Sequence, residues 1–373
     1  MMIGKMVILD VAAGVAGEVR GGVYGNRPRI YGRLVDEGCS KDVAFVVIHP
    51  TNNFHGHYLL EPMQRRGRAL LALNTRYVGN DSNLLVERAI QDLGAGVRFL
   101  REQGYKRVVL IGNSGGGALA ALYQQQAEKL TITTTPDGRP IQINPADLPP
   151  ADSVALVAAA PGRALTYMLR MDAAMIDEND LFATDPALDI FNPDNGPPFA
   201  PEFLERVRAA QLARNRRITE WCQARLRMFA KMGPEAGMQD QAFLVQRTHA
   251  DPRHIDLSLD PSDRPLDKEA RSKNFAPNNL GRFTTLRSWL SQWSYDLSRA
   301  KGPQCLVDTT VPVLMVYFTA DSIVLPSYYA EWQAAVGSRG ERVDMKGVAH
   351  YPRKEEDVER LVDLLIEWGD RTH

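Results

Sequence analysis

Ser114 sits in the string Gly112-Asn113-Ser114-Gly115-Gly116. An apolar, β-branched run at 108–111 precedes it, and small residues at helical spacing follow to about Lys129. This reads as strand, tight turn, helix, with one serine at the apex, the pattern of a nucleophile elbow. A serine forced into a strained turn leaves no room for side chains two positions before or after it. Gly112 and Gly116 supply that room, because glycine has no Cβ. The helix that follows aims its first backbone N–H groups toward the serine, where a developing negative charge would be held.

A serine hydroxyl is a poor nucleophile near neutral pH and needs an adjacent base, which in turn needs a carboxylate to orient it. Among seven histidines, His350 stands in Gly347-Val348-Ala349-His350, after a short strand expected at 342–345. Asp321 follows the apolar strand expected at 311–318. Asp308 precedes that strand and is a poor rival, and His373 is the only other histidine after Asp321. The strands of a parallel sheet end on one edge, so Ser114, Asp321 and His350 would meet there.

Further buried strands are expected at 42–48, 68–73 and 154–159, with helices at 58–66, 84–103, 327–336 and 355–368 between or after them. Residues 6–35 alternate loosely and carry many glycines, as edge strands joined by turns would. Residues 131–143 read as a hairpin or extended loop around Pro136-Asp137-Gly138. The alternation of strand and helix implies a mostly parallel sheet with helices on both faces. It stops at about 161 and resumes at about 305. Between these lie two helical stretches, 201–232 and 280–300, separated by a loop-rich segment. The expected division is therefore a core of 1–160 with 305–373 and a helical cap of 161–304, inserted after the sixth strand.

Composition narrows the function. With 373 residues, 44% of them hydrophobic, the chain can bury a large core. A net charge of −1 gives no electrostatic case for nucleic acid or an anionic membrane. Three scattered cysteines, Cys39, Cys222 and Cys305, suit neither a disulfide framework nor a zinc finger. The N-terminus faintly resembles a signal peptide, but Asp10 interrupts it and an early strand accounts for it as well. No apolar run is long enough to span a membrane. The expectation is a soluble, cytoplasmic protein acting on a small molecule, compatible with a homodimer.

The order Ser114, Asp321, His350, set on strand ends, resembles the α/β-hydrolase-fold serine hydrolases, and the resemblance covers 40–160 and 305–370. It implies Ser114 as nucleophile, His350 as general base and Asp321 as its orienting acid. It implies one oxyanion donor in the amide after the nucleophile, Gly115, and a second in the loop after the third strand. That loop reads His49-Pro50-Thr51-Asn52, and proline has no amide to give. The implied second donor is Thr51, with Asn52 behind it. The triple-glycine motif of hormone-sensitive-lipase-like esterases is absent. The implied activity is hydrolysis of a carboxylic ester through an acyl-enzyme, with no cofactor. The same triad also serves amides, lactones, thioesters and C–C bonds, and the fold also serves non-catalytic ligand binding.

Weaker candidates complete the list. His49, His55 and His57 have metal-ligand spacing but no acidic or cysteine partner nearby, so no metal is expected. His49 and Asn52 are candidate pocket residues. So are Trp289 and Trp293 in the cap, although packing is the commoner role for tryptophan in such a segment. His249 and His254 lie in the insertion, where they could line a pocket but where histidines are more often at the surface.

Overall fold

The computed structural model describes residues 4–12, 28–233, 235 and 240–372. The glycine-rich part of the expected N-terminal strands, 13–27, falls outside them. Eight strands form one sheet in the order β1-β2-β4-β3-β5-β6-β9-β10. These are β1 Lys5–Asp10, β2 Arg29–Val35, β3 Val43–His49, β4 Ala69–Asn74, β5 Arg107–Asn113, β6 Ser153–Val157, β9 Val313–Phe318 and β10 Gly340–Met345. The first two strands pair antiparallel with each other, and β2 runs antiparallel to β4; every pairing from β4 to β10 is parallel. Every residue of β3 is buried, as its unbroken apolar run requires of a strand covered on both faces.

Helices α1 Leu60–Arg65, α2 Val86–Glu102 and α3 Gly116–Glu128 connect the first half of the sheet. The helices Pro326–Val336 and Glu355–Arg371 complete the second half. Residues 131–143 close as a turn in which Thr134 bridges Pro140. Among the described residues, no helix is long and apolar enough to cross a membrane.

The insertion lies between β6 and β9. It begins with α4 Arg163–Met168 and is dominated by α5 Pro201–Lys231, whose start carries a proline at its first position. A short ribbon pairs β7 Ala242–Leu244 with β8 Phe283–Thr285. The single helix expected at 280–300 does not form. The segment is a strand to Thr285, one turn over Leu286–Ser288 and a π-helical turn over Trp289–Trp293. The reason lies in its polar residues, which are spent on the core. Ser288 Oγ donates to the Leu84 carbonyl (3.0 Å) and Gln292 Nε2 to the Asp81 carbonyl (2.5 Å). Ser291 Oγ donates to Glu87 (2.7 Å) and accepts from the Val86 amide (2.9 Å). The opposite side of the insertion is tied down as well: Arg253 donates to Ser327 Oγ (2.9 Å) and Tyr328 Oη (2.8 Å).

Candidate active site

Six parallel strands, β4, β3, β5, β6, β9 and β10, deliver their C-terminal ends to one edge. Ser114 follows β5 directly and has φ of 55°, a conformation L-residues with a side chain seldom adopt. Three backbone bonds hold it there. Its N–H donates to the Val157 carbonyl (3.0 Å), and its carbonyl accepts from Gly117 (3.1 Å) and Ala160 (2.9 Å). The turn has room for nothing but glycine at its crowded points. A Cβ on Gly116 would lie 1.9 Å from the Ile48 carbonyl oxygen, and one on Gly112 would lie 2.7 Å from the Gly117 Cα.

His350 Nε2 lies 2.9 Å from Ser114 Oγ, and His350 Nδ1 lies 2.6 Å from Asp321 Oδ2. Asp321 is fully buried, and its other oxygen accepts from the amides of Ile323 (2.7 Å) and Val324 (3.0 Å). The loops carrying acid and base are braced against each other. Thr319 donates its amide to the Met345 carbonyl (3.2 Å), and Ala320 donates to Val348 (3.0 Å). Serine, imidazole and carboxylate thus form one hydrogen-bonded line, the geometry in which a hydroxyl proton can move to an imidazole held by an acid.

Gly115, at the N-cap of α3, stands where the first amides of a helix lack intrahelical acceptors. The other expected donor is engaged elsewhere. Thr51 N–H donates to His49 Nδ1 at 3.1 Å, and Asn52 N–H donates to the same atom at 2.9 Å. The imidazole of His49 caps its own loop, so the Thr51 amide does not aim at the serine. The hydroxyl of Thr51 accepts from Arg163 (2.8 Å), the first residue of α4. Arg163 is nearly buried and also donates to Gln292 Oε1 (2.6 Å), with Asp81 3.5 Å away. Burial pulls its guanidinium below the usual range, partly offset by Asp81. Sequence reasoning missed Arg163; its only signal was position, at the point where the chain leaves the core.

A cleft of about 770 Å³ has Thr51, Asn52 and Phe54 among its walls, together with Asn113 and Tyr351, the chain neighbours of Ser114 and His350. Asn52 therefore faces the cleft, as expected of a pocket residue. Trp289 and Trp293 do not. Both are fully buried and pack with Tyr167, Ile218, Cys222 and Leu286 inside the cap. The distance from sheet edge to tryptophan is filled by Arg163, whose guanidinium lies 5.1 Å over the Trp293 ring.

The histidines of the 49–57 loop face different ways. His57 Nε2 is 3.4 Å from Asn113 Oδ1, and its Nδ1 accepts from the Leu59 amide (3.3 Å). Burial pulls His57 down to about 4. Of the two histidines expected at the surface, His254 is buried and His249 is half-buried. His249 pairs with Asp267 (3.0 Å), and one ligand atom each from His249, His254 and Asp267 lies within 4.8 Å of the others. The Lys273 ammonium, 2.8 Å from Asp267, already neutralises that carboxylate.

No protein-family model and no curated protein matches the chain. Solved structures do. The chain is similar to DcsB, solved in complex with its substrate analogue, at 12% identity over 99% of each chain with a TM-score of 0.53. It is similar to the esterase domain of a Rhodothermus marinus protein, at 13% identity over 98% of each chain with a TM-score of 0.48. It is also similar to the monoacylglycerol lipase of Paleococcus ferrophilus, at 13% identity over 92% of this chain and 99% of the other, with a TM-score of 0.46. With its single antiparallel second strand inside an otherwise parallel run, and its long helix inserted after β6, the chain has the α/β-hydrolase fold with a helical cap.

Proposed function

We propose that this protein is a serine hydrolase that cleaves a carboxylic ester, or a similar acyl bond, of a small to medium, partly apolar substrate. The observation that carries the reading is the unbroken line Ser114–His350–Asp321, with contacts of 2.9 and 2.6 Å, at the open edge of the sheet. Ser114 Oγ attacks the substrate carbonyl while His350 Nε2 takes its proton. Asp321 holds the Nδ1–H of His350 and steadies the imidazolium. The tetrahedral oxyanion is held at the head of α3, with the Gly115 amide as one donor. His350 then gives the proton to the leaving alcohol, which departs and leaves an acyl group on Ser114. Water, deprotonated by His350, releases the acid. The cleft walls offer apolar surface from Phe54 and Val78 and polar groups from Asn52 and Asn113, which suits a substrate with both.

The test is covalent. A fluorophosphonate probe should add once per chain, on Ser114, as located by mass spectrometry of peptides. The same preparation is then assayed against matched p-nitrophenyl ester, anilide, thioester and lactone substrates. An adduct on another serine, or ester turnover unaffected by the label, sinks the reading. Turnover of the thioester or lactone alone would keep the triad and change the bond.

A further inference from the structure

The loop after β3 has too few free backbone donors for the task that its position implies. Pro50 has no N–H. Thr51 and Asn52 both point their amides at His49 Nδ1, at 3.1 and 2.9 Å. An Nδ1 that accepts two N–H bonds carries no proton, so the proton of the neutral ring is on Nε2. That nitrogen has no hydrogen-bond partner among the described residues. It lies against the residue after the nucleophile: a Cβ built on Gly115 would be 2.9 Å from His49 Nε2. The ring is 7% exposed, so its position is set by packing, not by solvent.

We propose that His49 Nε2–H is the second oxyanion donor, acting with the Gly115 amide in place of the loop amides. The proposal rests on the serine-hydrolase reading above. When Ser114 Oγ bonds to the carbonyl carbon, the π pair moves onto the carbonyl oxygen and the serine proton goes to His350. The new oxyanion accepts two hydrogen bonds, one from Gly115 N–H and one from His49 Nε2–H. The pair returns as the carbon–alkoxide bond breaks, and the alkoxide takes the proton from His350. His49 keeps its own proton throughout.

Two further features suit the ring to this work. Burial holds the imidazole well below its ordinary range, and Arg163 and His350 push in the same direction, which favours the neutral Nε2–H form. Its orientation is fixed from behind by the two amides. The loop itself is held by Arg163 on Thr51 Oγ1 and by the Thr75 hydroxyl on the Pro50 carbonyl (2.5 Å). A pre-oriented donor needs no reorganisation during reaction, which is where such groups gain their effect. Gly115 is then glycine for a reason of its own. Its φ of −61° would suit any residue, but a side chain there would displace the imidazole.

The experiment separates the two nitrogens of His49 in the full chain, with p-nitrophenyl acetate as substrate. Asparagine can replace the Nδ1 acceptor but not the Nε2 donor, and glutamine the reverse. The expected result is a fall in kcat of about 10²–10³-fold for His49→Asn with KM little changed, and a smaller fall for His49→Gln. Affinity for an aryl trifluoromethyl ketone, whose serine adduct is an oxyanion, should fall with kcat/KM in His49→Asn. A ring that merely holds the loop gives the opposite ranking, with Asn near wild type and Gln damaged, and that outcome overturns the proposal. Gly115→Ala is the second variant, because it keeps both the amide and the ring while pushing Nε2 away. It should lose at least about tenfold in kcat with an unchanged melt. Full kcat in Gly115→Ala also overturns the proposal, even if neither His49 variant folds. Ser114→Ala, run alongside, tells the two failures apart. If it keeps wild-type turnover, the hydrolase reading falls; if it is inert while His49→Asn is fully active, only the His49 assignment falls.

Discussion

Two stretches of irregular backbone lie on either side of Arg163, and they are built for opposite ends. The elbow at Ser114 is surrounded by glycines, takes a positive φ and leaves its residue only partly buried, with its hydroxyl on His350. The π-helical turn at Trp289–Trp293 is filled with large and polar side chains, and all five of its residues are fully buried. The elbow gives up favourable backbone conformation to present one hydroxyl. The turn presents nothing to the cleft: its Gln292 and Ser291 fasten the cap to Asp81 and Glu87, and Ser288 just before it to Leu84. Irregularity in a backbone is therefore no guide to chemistry by itself; what the side chain faces decides.

The largest expected effect comes from deleting the hydroxyl. Ser114→Ala should lower kcat by roughly 10⁴–10⁶-fold while leaving the melt unchanged, since the nucleophile goes and little packing does. Ser114→Gly should be equally inert but more stable than Ser114→Ala by about 1 kcal/mol, because glycine tolerates the positive φ. Steady-state kinetics with urea melts of both variants test this. If glycine brings no stability over alanine, the elbow stores no strain and the contrast with the cap turn loses its basis.

Next comes the acid. Asp321→Asn should keep the loop's shape but cost about 10⁴-fold in kcat, because the amide disturbs the tautomer of His350 and cannot support its cation. A loss under about tenfold would make Asp321 a loop brace acting through the Ile323 and Val324 amides alone.

How much of this the sequence showed depends on how local the cause was. Ser114, Asp321 and His350 were legible because each follows a strand whose apolar run is visible, and a parallel sheet takes care of the rest. Gly116 was legible for the right reason, close approach, although the partner, the Ile48 carbonyl, comes from another strand. The Thr51 amide was not, because its direction is set by a ring nitrogen two residues back rather than by the loop's path. The break at 285–293 was hidden for a related reason. Ser288, Ser291 and Gln292 look like a solvent face, yet they are the fully buried residues that meet the core. His254 misled in the same way, since polarity suggests exposure and the cap closes over it.

The cap turn offers the third prediction. Trp289→Ala and Trp293→Ala should each cost about 3–5 kcal/mol of stability, as loss of a large buried ring does. The profile of kcat/KM across acyl chain lengths should stay the same, since neither ring reaches the cleft. Melting temperatures and a p-nitrophenyl ester series on the folded protein measure both. A changed chain-length preference would move the tryptophans from the cap's core to the pocket wall and erase the contrast drawn above.

The smallest effect is on pH, and it acts on both regions at once. His49 and His57 beside the elbow, and His254 in the cap, are buried, and burial lowers each: His57 to about 4, His254 to about 3 and His49 well below normal. Free histidine titrates near about 6.5, so between that pH and the folded values the unfolded chain binds protons that the folded chain refuses. Stability is whole above about pH 6.5 and declines as the pH falls, by at most about 1.4 kcal/mol per unit for each ring. Asp251 and Asp267, held low in the fold, begin to contribute only nearer the ordinary carboxylate range. Glu87, which burial raises, works the other way and partly masks the decline. A single-site difference removes the masking. His254→Phe should lessen the fall in urea-unfolding free energy between pH 6.5 and 5 by about 1 kcal/mol per unit, with the Ser114-dependent turnover at pH 7.5 unchanged. An unaltered slope would mean that His254 takes its proton in the folded cap, and that acid loosens the elbow side alone.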